Sequence, residues 1–334
     1  MKNTIKIKRN WSSPSLLPKS LVFIDGVTRS GKSMIGPVVS SFTKTYPVQF
    51  QTIIDNLMPI YKQKSIRHDV LTSMLNFYFN QNVYNLNISR QINLRKDDIN
   101  SLVNDKNAKE YLKNLKIKDG DYIIKKIKEK NHSLAYQTHD LLSMIIELNK
   151  LNYPYKLIYI YRNPIDNIFS CYKRYQLRLS SKLDDTYNID DPRIFQMMIK
   201  TNGKLFPYYT RNQENKFLKL NFLEKVIFYY LFSIKNSIKS YKKLNKTQKM
   251  KILLIQYDSF ATNTNFEIRK LTNFLNVRTT AHTKKILKKN NLPRKIGKND
   301  RDYKLNIIKK NINSDLFKEV LKMTKKYEPS ELFT

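Results

Sequence analysis

The chain has 334 residues, 41% of them hydrophobic, and a formal net charge of +35 from 62 Lys and Arg against 27 Asp and Glu. That apolar content supports a sizeable buried core, and the length suits one large α/β domain or a domain with an insertion. Cys171 is the only cysteine, which excludes an internal disulfide framework. No run approaches the ~18 apolar residues that would span a bilayer. Residues 1–10 are basic without the apolar stretch of a signal peptide, so a cytoplasmic address is the expectation. The charge attracts anions: nucleotides, phosphates, nucleic acid, acidic glycans or anionic lipid. Lys outnumbers Arg 48 to 14 amid abundant Asn and Ile, so part of the excess reads as compositional bias.

The first strand is Leu21-Val22-Phe23-Ile24-Asp25, an unbroken apolar run of the kind buried on both faces of a parallel sheet, ending at Gly26. A helix is expected over 33–42, shortened or kinked at Gly36-Pro37. Residues 51–80 read as mostly helical and 81–118 as polar loops with short helices. A short strand is expected at 122–124, another at 133–138, and a helix over 139–151. Residues 155–161 form the second strong strand. The stretch 173–215, with its Asp-Pro, Asn-Gly and Phe-Pro signals, reads as irregular. A long amphipathic helix follows at 222–241, a third strong strand at 251–257 and a helix at 265–275. Basic loop is expected over 284–304 and helix over 305–327. Strands alternating with helices predict an α/β fold, with a three-layer parallel sheet flanked by helices. One domain over 1–334 is expected, with 173–250 a helical insertion or lid on the acceptor side.

Gly26-Val27-Thr28-Arg29-Ser30-Gly31-Lys32-Ser33 satisfies the G-x-x-x-x-G-K-[ST] pattern between a buried strand and a helix start. The glycines let backbone N–H groups wrap a phosphate, the helix N-terminus adds positive potential, and Lys32 neutralises phosphate oxygens. The pattern names a phosphate cradle, not a reaction. A magnesium-dependent kinase also wants a second strand ending in Asp. Strand 155–161 ends instead in Arg162, a phosphate-binding cation. Strand 251–257 ends near Asp258, which keeps open an ATP-dependent small-molecule kinase with Asp258 or Asp140 holding magnesium.

Arg162 closes an otherwise apolar strand at its carboxyl end, where α/β sheets bind ligands. Asn163 as N-cap, Pro164 as first helical residue and Asp166 are accounted for by the start of a helix. Arg162 is not, and together with the Ser170 hydroxyl it suits a phosphate dianion.

The segment Arg162-Asn163-Pro164-Ile165-Asp166 through Ser170 and Tyr172 resembles the 3′-phosphate-binding segment of the PAPS-dependent sulfotransferases. In that family an Arg and a Ser eight residues later bind the donor's 3′-phosphate. The loop Thr28-Arg29-Ser30-Gly31-Lys32-Ser33 is similar to the family's 5′-phosphosulfate loop, with Lys32 where a Thr is usual. Gln137-Thr138-His139 resembles a Lys-Thr-His segment whose His is the general base. Ile255-Gln256-Tyr257-Asp258-Ser259 resembles a strand segment whose Tyr lies near the adenine. Arg294-Lys295-Ile296-Gly297 resembles the C-terminal loop that closes over the 3′-phosphate.

The resemblance implies PAPS as donor, PAP as product and no metal. It implies Arg29 and Lys32 as cations at the leaving group, with Ser30 and Ser33 donating. His139 is then the base that deprotonates an acceptor hydroxyl or amine, with Asp140 as the fallback. The basic surface favours a saccharide or other anionic acceptor over a hydrophobic phenol or steroid. No recognised nucleic-acid-binding fold appears, and the basic residues are scattered, so no specific nucleic-acid partner is expected.

Overall fold

The structure is a computed structural model that describes residues 10–50, 52–98, 100–180, 198–297, 299–327 and 331–333. Its centre is a parallel sheet of five strands, β1 (Leu21–Asp25), β2 (Gln49–Phe50), β3 (Leu134–Gln137), β4 (Tyr155–Tyr161) and β7 (Ile252–Gln256), in the order β2-β3-β1-β4-β7. β1 is central, pairing Phe23 with Tyr136 of β3 and with Leu157 of β4. Tyr161, the last residue of β4, pairs with Gln256, so β4 and β7 end level with one another.

The strands are apolar without alternation because both faces are covered. On one face Leu21, Phe23, Tyr136, Leu157 and Tyr159 share a core with α2 (Ile53–Lys62), α3 (His68–Asn87) and α5 (Phe222–Lys242). On the other, Val22, Ile24, Ala135, Ile158, Ile160 and Ile255 pack with α1 (Lys32–Ser40), α6 (Tyr257–Thr262) and α7 (Thr264–Leu275). This is the expected three-layer α/β architecture. α4 (Pro164–Ser180) follows β4 directly. Two further helices, α8 (Asn299–Asn311) and α9 (Ser314–Tyr327), lie toward the C-terminus.

Several elements differ from expectation. The Tyr122-Ile123-Ile124 run belongs to a helix, Asp121–Lys130, in which Ile123 and Ile127 are buried one turn apart. Apolar residues four apart define a helix face, and a run of three cannot distinguish that from a strand. The basic stretch 284–304 is helical at both ends, holding the end of a helix Ala281–Lys289 and the start of α8, and is loop over 290–297 as expected. The segment 173–250 is not all helical: an antiparallel hairpin pairs β5 (Met198–Thr201) with β6 (Lys204–Pro207) around Asn202 and Gly203, both at positive φ. That is the φ requirement of a two-residue hairpin turn. Of the stretch 173–215 expected to be irregular, α4 runs through 173–180, and 181–197 lie outside the described residues. α1 continues past Pro37 to Ser40 rather than breaking there.

Candidate active site

The carboxyl ends of β1, β3, β4 and β7 gather nearly all the residues singled out by sequence. After β1 the chain turns at Gly26, whose φ of 145° is unsuited to a side chain. A Cβ there would also meet the Ile160 carbonyl oxygen of β4 and, at 2.7 Å, the Ser30 hydroxyl. Gly31, with φ at 110°, starts α1, and a Cβ there would run into the Tyr257 ring. The two glycines hold the loop tight against β4 and α6. Arg29, at φ 67° and exposed, stands on the outer lip with its side chain turned toward α4. The Ser30 hydroxyl is buried and has no hydrogen-bond partner among the described residues. Ser33 is exposed beside the first turn of α1.

Lys32 does not reach outward. Its ammonium is buried under the loop and donates to the Gly26 carbonyl and, at 3.0 Å, to that of Val27. Burial pushes this amine below the ordinary lysine value, while the charges of Asp25, Asp140 and Asp55 pull it back up.

Arg162, one residue past β4, leans over the same loop. Its Nη1 donates to the Arg29 carbonyl at 3.3 Å, and its guanidinium carbon lies 4.6 Å from the centroid of the Tyr257 ring. Stacking of this kind is a geometry arginine favours. The Arg162 Nε is buried with no hydrogen-bond partner among the described residues. The expected pairing of Arg162 with Ser170 takes a different form: the Ser170 hydroxyl accepts from Arg29 Nε at 3.1 Å. Arg294 joins from the C-terminal segment, donating to the Tyr257 hydroxyl at 2.5 Å, and Lys295 next to it is exposed. Thr28, Arg29, Ser30, Gly31, Lys32, Arg162, Ser170, Tyr257 and Arg294 therefore form one connected group.

Asn163 caps α4 as expected, accepting from the Ile165 N–H at 3.0 Å. Asp166 does more than start the helix. It accepts from Arg301 Nε at 2.8 Å and from Lys304 at 2.7 Å, both on α8, and Arg301 also bonds Asp258 on α6. Burial raises the Asp166 carboxyl, but the bonds from Lys304 and Arg301 outweigh it and hold it below the usual carboxylate range. Asp258, a magnesium ligand on the kinase reading, is thus tied into a structural ion pair.

The β3 side is chemically different. His139 Nδ1 lies 2.9 Å from Asp55 Oδ2, and its backbone N–H donates to Asp55 Oδ1 at 2.8 Å. Asp55 sits in the first turn of α2, and burial pushes its carboxyl up to about 7. Asp140, at φ 59° and buried, accepts from the hydroxyls of Tyr208 at 3.2 Å and Tyr229 at 3.1 Å. Burial pushes it up to about 6. Tyr229 is also within 3.2 Å of the Thr28 hydroxyl, which links this side to the glycine loop. Asp25, fully buried at the end of β1, accepts from the Thr138 hydroxyl at 3.1 Å and the Leu142 N–H at 2.7 Å. Burial raises it too, against the charge of Lys32.

Sequence reasoning missed Asp55, Tyr208 and Tyr229. An Asp in a helix's first turn is an ordinary dipole partner. No spacing rule connects it to a His 84 residues away.

Among the described residues no helix is long and apolar enough to cross a membrane. No curated protein matches the chain. Solved structures similar to it include the sulfotransferase domain from the curacin biosynthetic pathway, 12% identical with a TM-score of 0.42 over 80% of this chain and 77% of that one. Another is the sulfotransferase domain of the Synechococcus PCC 7002 olefin synthase, at 11% identity and a TM-score of 0.41, covering 82% of this chain and 80% of that one. A third is a sulfotransferase from Alicyclobacillus acidocaldarius, at 12% identity and a TM-score of 0.37, covering 91% and 95%. The sequence itself matches the sulfotransferase domain family over residues 19–303, a span that takes in the glycine loop, His139, Arg162, Tyr257 and Arg294. The chain belongs to the sulfotransferase domain family.

Proposed function

We propose that this protein transfers a sulfuryl group from PAPS to a hydroxyl or amine acceptor. The observation that carries the reading is the contact between its two anion sites. Arg162 bonds the backbone of the glycine loop, and Arg29 of that loop bonds Ser170 on α4. Two sets of phosphate-binding groups therefore stand side by side, as a nucleotide phosphorylated at both ends of its ribose requires. The residues present fit that donor. A buried Ser30 hydroxyl and a buried Arg162 Nε each lack a protein partner among the described residues, and buried polar groups ordinarily have one. Gly26 and Gly31 let the loop lie close against β4 and the Tyr257 ring, which brings it beside Arg162.

In this reading the loop Thr28–Ser33 holds the 5′-phosphosulfate, while Arg162, Ser170, Arg294 and Lys295 hold the 3′-phosphate and Tyr257 flanks the adenosine. When bound, PAPS supplies the sulfuryl group, whose S–O bond to the 5′-phosphate breaks with its electron pair left on that phosphate as the acceptor atom bonds to sulfur. Arg29 on the lip and Lys32 on the floor set a positive potential at the leaving oxygen, where fixed charges act on the transition state. This reading calls for no magnesium: Arg162 follows β4 where a kinase places a metal-binding carboxylate, and Asp258 and Asp140 are engaged by Arg301 and by two tyrosines. His139 takes the acceptor's proton. Its side chain is 36% exposed, whereas Asp140 is 4% exposed and already engaged by two phenols. The high positive charge supports a saccharide or other anionic acceptor, and the single cysteine accords with work in the cytoplasm.

A thermal-shift titration tests the donor. PAP without magnesium is expected to raise the unfolding midpoint, since a ligand that binds only the folded state stabilises it by mass action. A response to Mg-ATP with none to PAP would replace this reading with that of a kinase.

A further inference from the structure

We propose that Asp55 is the positioning residue of proton transfer: it fixes His139 with its Nδ1 as the donor, so that Nε2 carries the lone pair that receives the acceptor's proton. The inference rests on His139 being the base.

The argument is one of donors and acceptors. Asp55 Oδ1 accepts the backbone N–H of His139 at 2.8 Å, which pins the carboxylate in place. Its other oxygen then lies 2.9 Å from Nδ1. Above about pH 7, where the Asp55 carboxyl is ionised, it only accepts, so Nδ1 must hold a proton, and in a neutral imidazole the other nitrogen is then the acceptor. The two residues come from different layers of the cleft, Asp55 from α2 and His139 from the end of β3. Only the folded chain brings them together. A surface ion pair holds its partners loosely, but this carboxylate is gripped through the backbone as well as the ring, and its side chain is only 18% exposed. Lys32, under the glycine loop, favours the ionised form of Asp55 against the cost of its burial. The donor loop and the base are thereby electrostatically coupled.

Asp55→Asn separates geometry from charge. The backbone N–H of His139 still needs an acceptor, so the amide oxygen stays there and the NH2 faces Nδ1. The ring must then protonate on Nε2, which leaves that nitrogen without a lone pair to receive a proton. With 15N-labelled histidine at pH 8, the wild-type His139 is expected to show the Nδ1–H tautomer and Asp55→Asn the Nε2–H tautomer. In Asp55→Asn, kcat is expected to fall at least ~10²-fold, the scale of a positioned general base. The acceptor KM and the PAP affinity should stay within about threefold. Asp55→Glu should recover part of kcat. An Nε2–H tautomer in the wild type overturns the proposal, and that measurement stands even if the Asn variant fails to fold. Unchanged turnover in Asp55→Asn, with His139→Ala inactive, overturns it while leaving His139 as the base. Full turnover in both variants removes His139 from the reaction, and the proposal with it.

Discussion

The two halves of the site use charge in opposite ways. Along β1, β4 and β7 the functional groups are cations: Arg29 exposed on the lip, Arg162 stacked on Tyr257, Arg294 on the Tyr257 hydroxyl. Around β3 they are carboxylates, Asp55 and Asp140, joined by Asp25 at the end of β1 through its bond from Thr138, all with raised proton affinity. Lys32 lies between, bonded to loop carbonyls and within the field of all three acids. A cation half suits the binding of a polyanion. An acid half whose carboxyls are raised by burial suits the holding and moving of a proton. Mutations on one side should therefore change donor affinity, and those on the other turnover and the pH dependence of stability.

The largest effect is expected from His139→Ala. Loss of a positioned base costs ~10²–10⁴-fold in rate, so turnover should fall below detection in a labelled-PAPS assay. PAP binding should remain within about twofold, because the histidine lies on the acid half. A parallel loss of PAP affinity would dissolve the division between the halves.

Asp140→Asn tests the acid half through stability. Its carboxyl titrates at about 6 in the folded protein against an ordinary value of 3.8. The folded state thus holds the proton more tightly, and the stability this gives is complete below pH 4 and lost as pH rises to and beyond 6. A shift of that size corresponds to about 3 kcal/mol. The amide carries no charge but still offers an oxygen to Tyr208 and Tyr229. Denaturation at pH 4 should find the variant close to wild type, and at pH 8 more stable than it. Equal stability at pH 8 would mean that Asp140 is not desolvated as its burial requires.

The cation half was the more legible in the sequence, for a physical reason. A strand, a glycine turn and a helix start are local, so the loop from Gly26 to Ser33 can be read without tertiary information. Arg162 stood out because a charge closes an apolar strand. The strands β1, β4 and β7 were likewise plain as continuous apolar runs, and α5 showed helical periodicity over its whole length. What stayed hidden was non-local. Asp55 meets His139 across 84 residues, and Arg301 meets Asp166 across 135. The start of α8, up to Lys304, was hidden as well, because in a stretch as charged as Asp300-Arg301-Asp302 a loop and a solvated helix look alike. Ile308 is its buried apolar anchor.

Arg162→Ala returns to the cation half. It strips a charge-assisted contact worth ~1.5–3 kcal/mol, so PAP affinity by calorimetry should fall at least about tenfold. Turnover at saturating PAPS should suffer much less than in His139→Ala. A loss of kcat as deep as that of the histidine variant, with PAP affinity intact, would move Arg162 to the chemistry.

The smallest expected effect sharpens the same half by dividing one residue into its two roles. Tyr257 offers a ring to Arg162 and Gly31 and a hydroxyl to Arg294. Tyr257→Phe keeps the ring, so Arg162 stays stacked and the loop stays backed, while Arg294 loses its anchor. One hydrogen bond to a charged donor is at stake, and Arg294 can turn to solvent or to the 3′-phosphate instead. PAP affinity should therefore drop only about two- to fivefold, at the low end of the ~0.5–1.5 kcal/mol of an ordinary hydrogen bond. Tyr257→Ala should cost more than Tyr257→Phe, because it leaves the Arg162 guanidinium without its platform and Gly31 without its neighbour. If the two variants weaken PAP equally, the hydroxyl and not the ring organises the cation half, and Arg294 rather than Arg162 becomes the residue on which donor affinity turns.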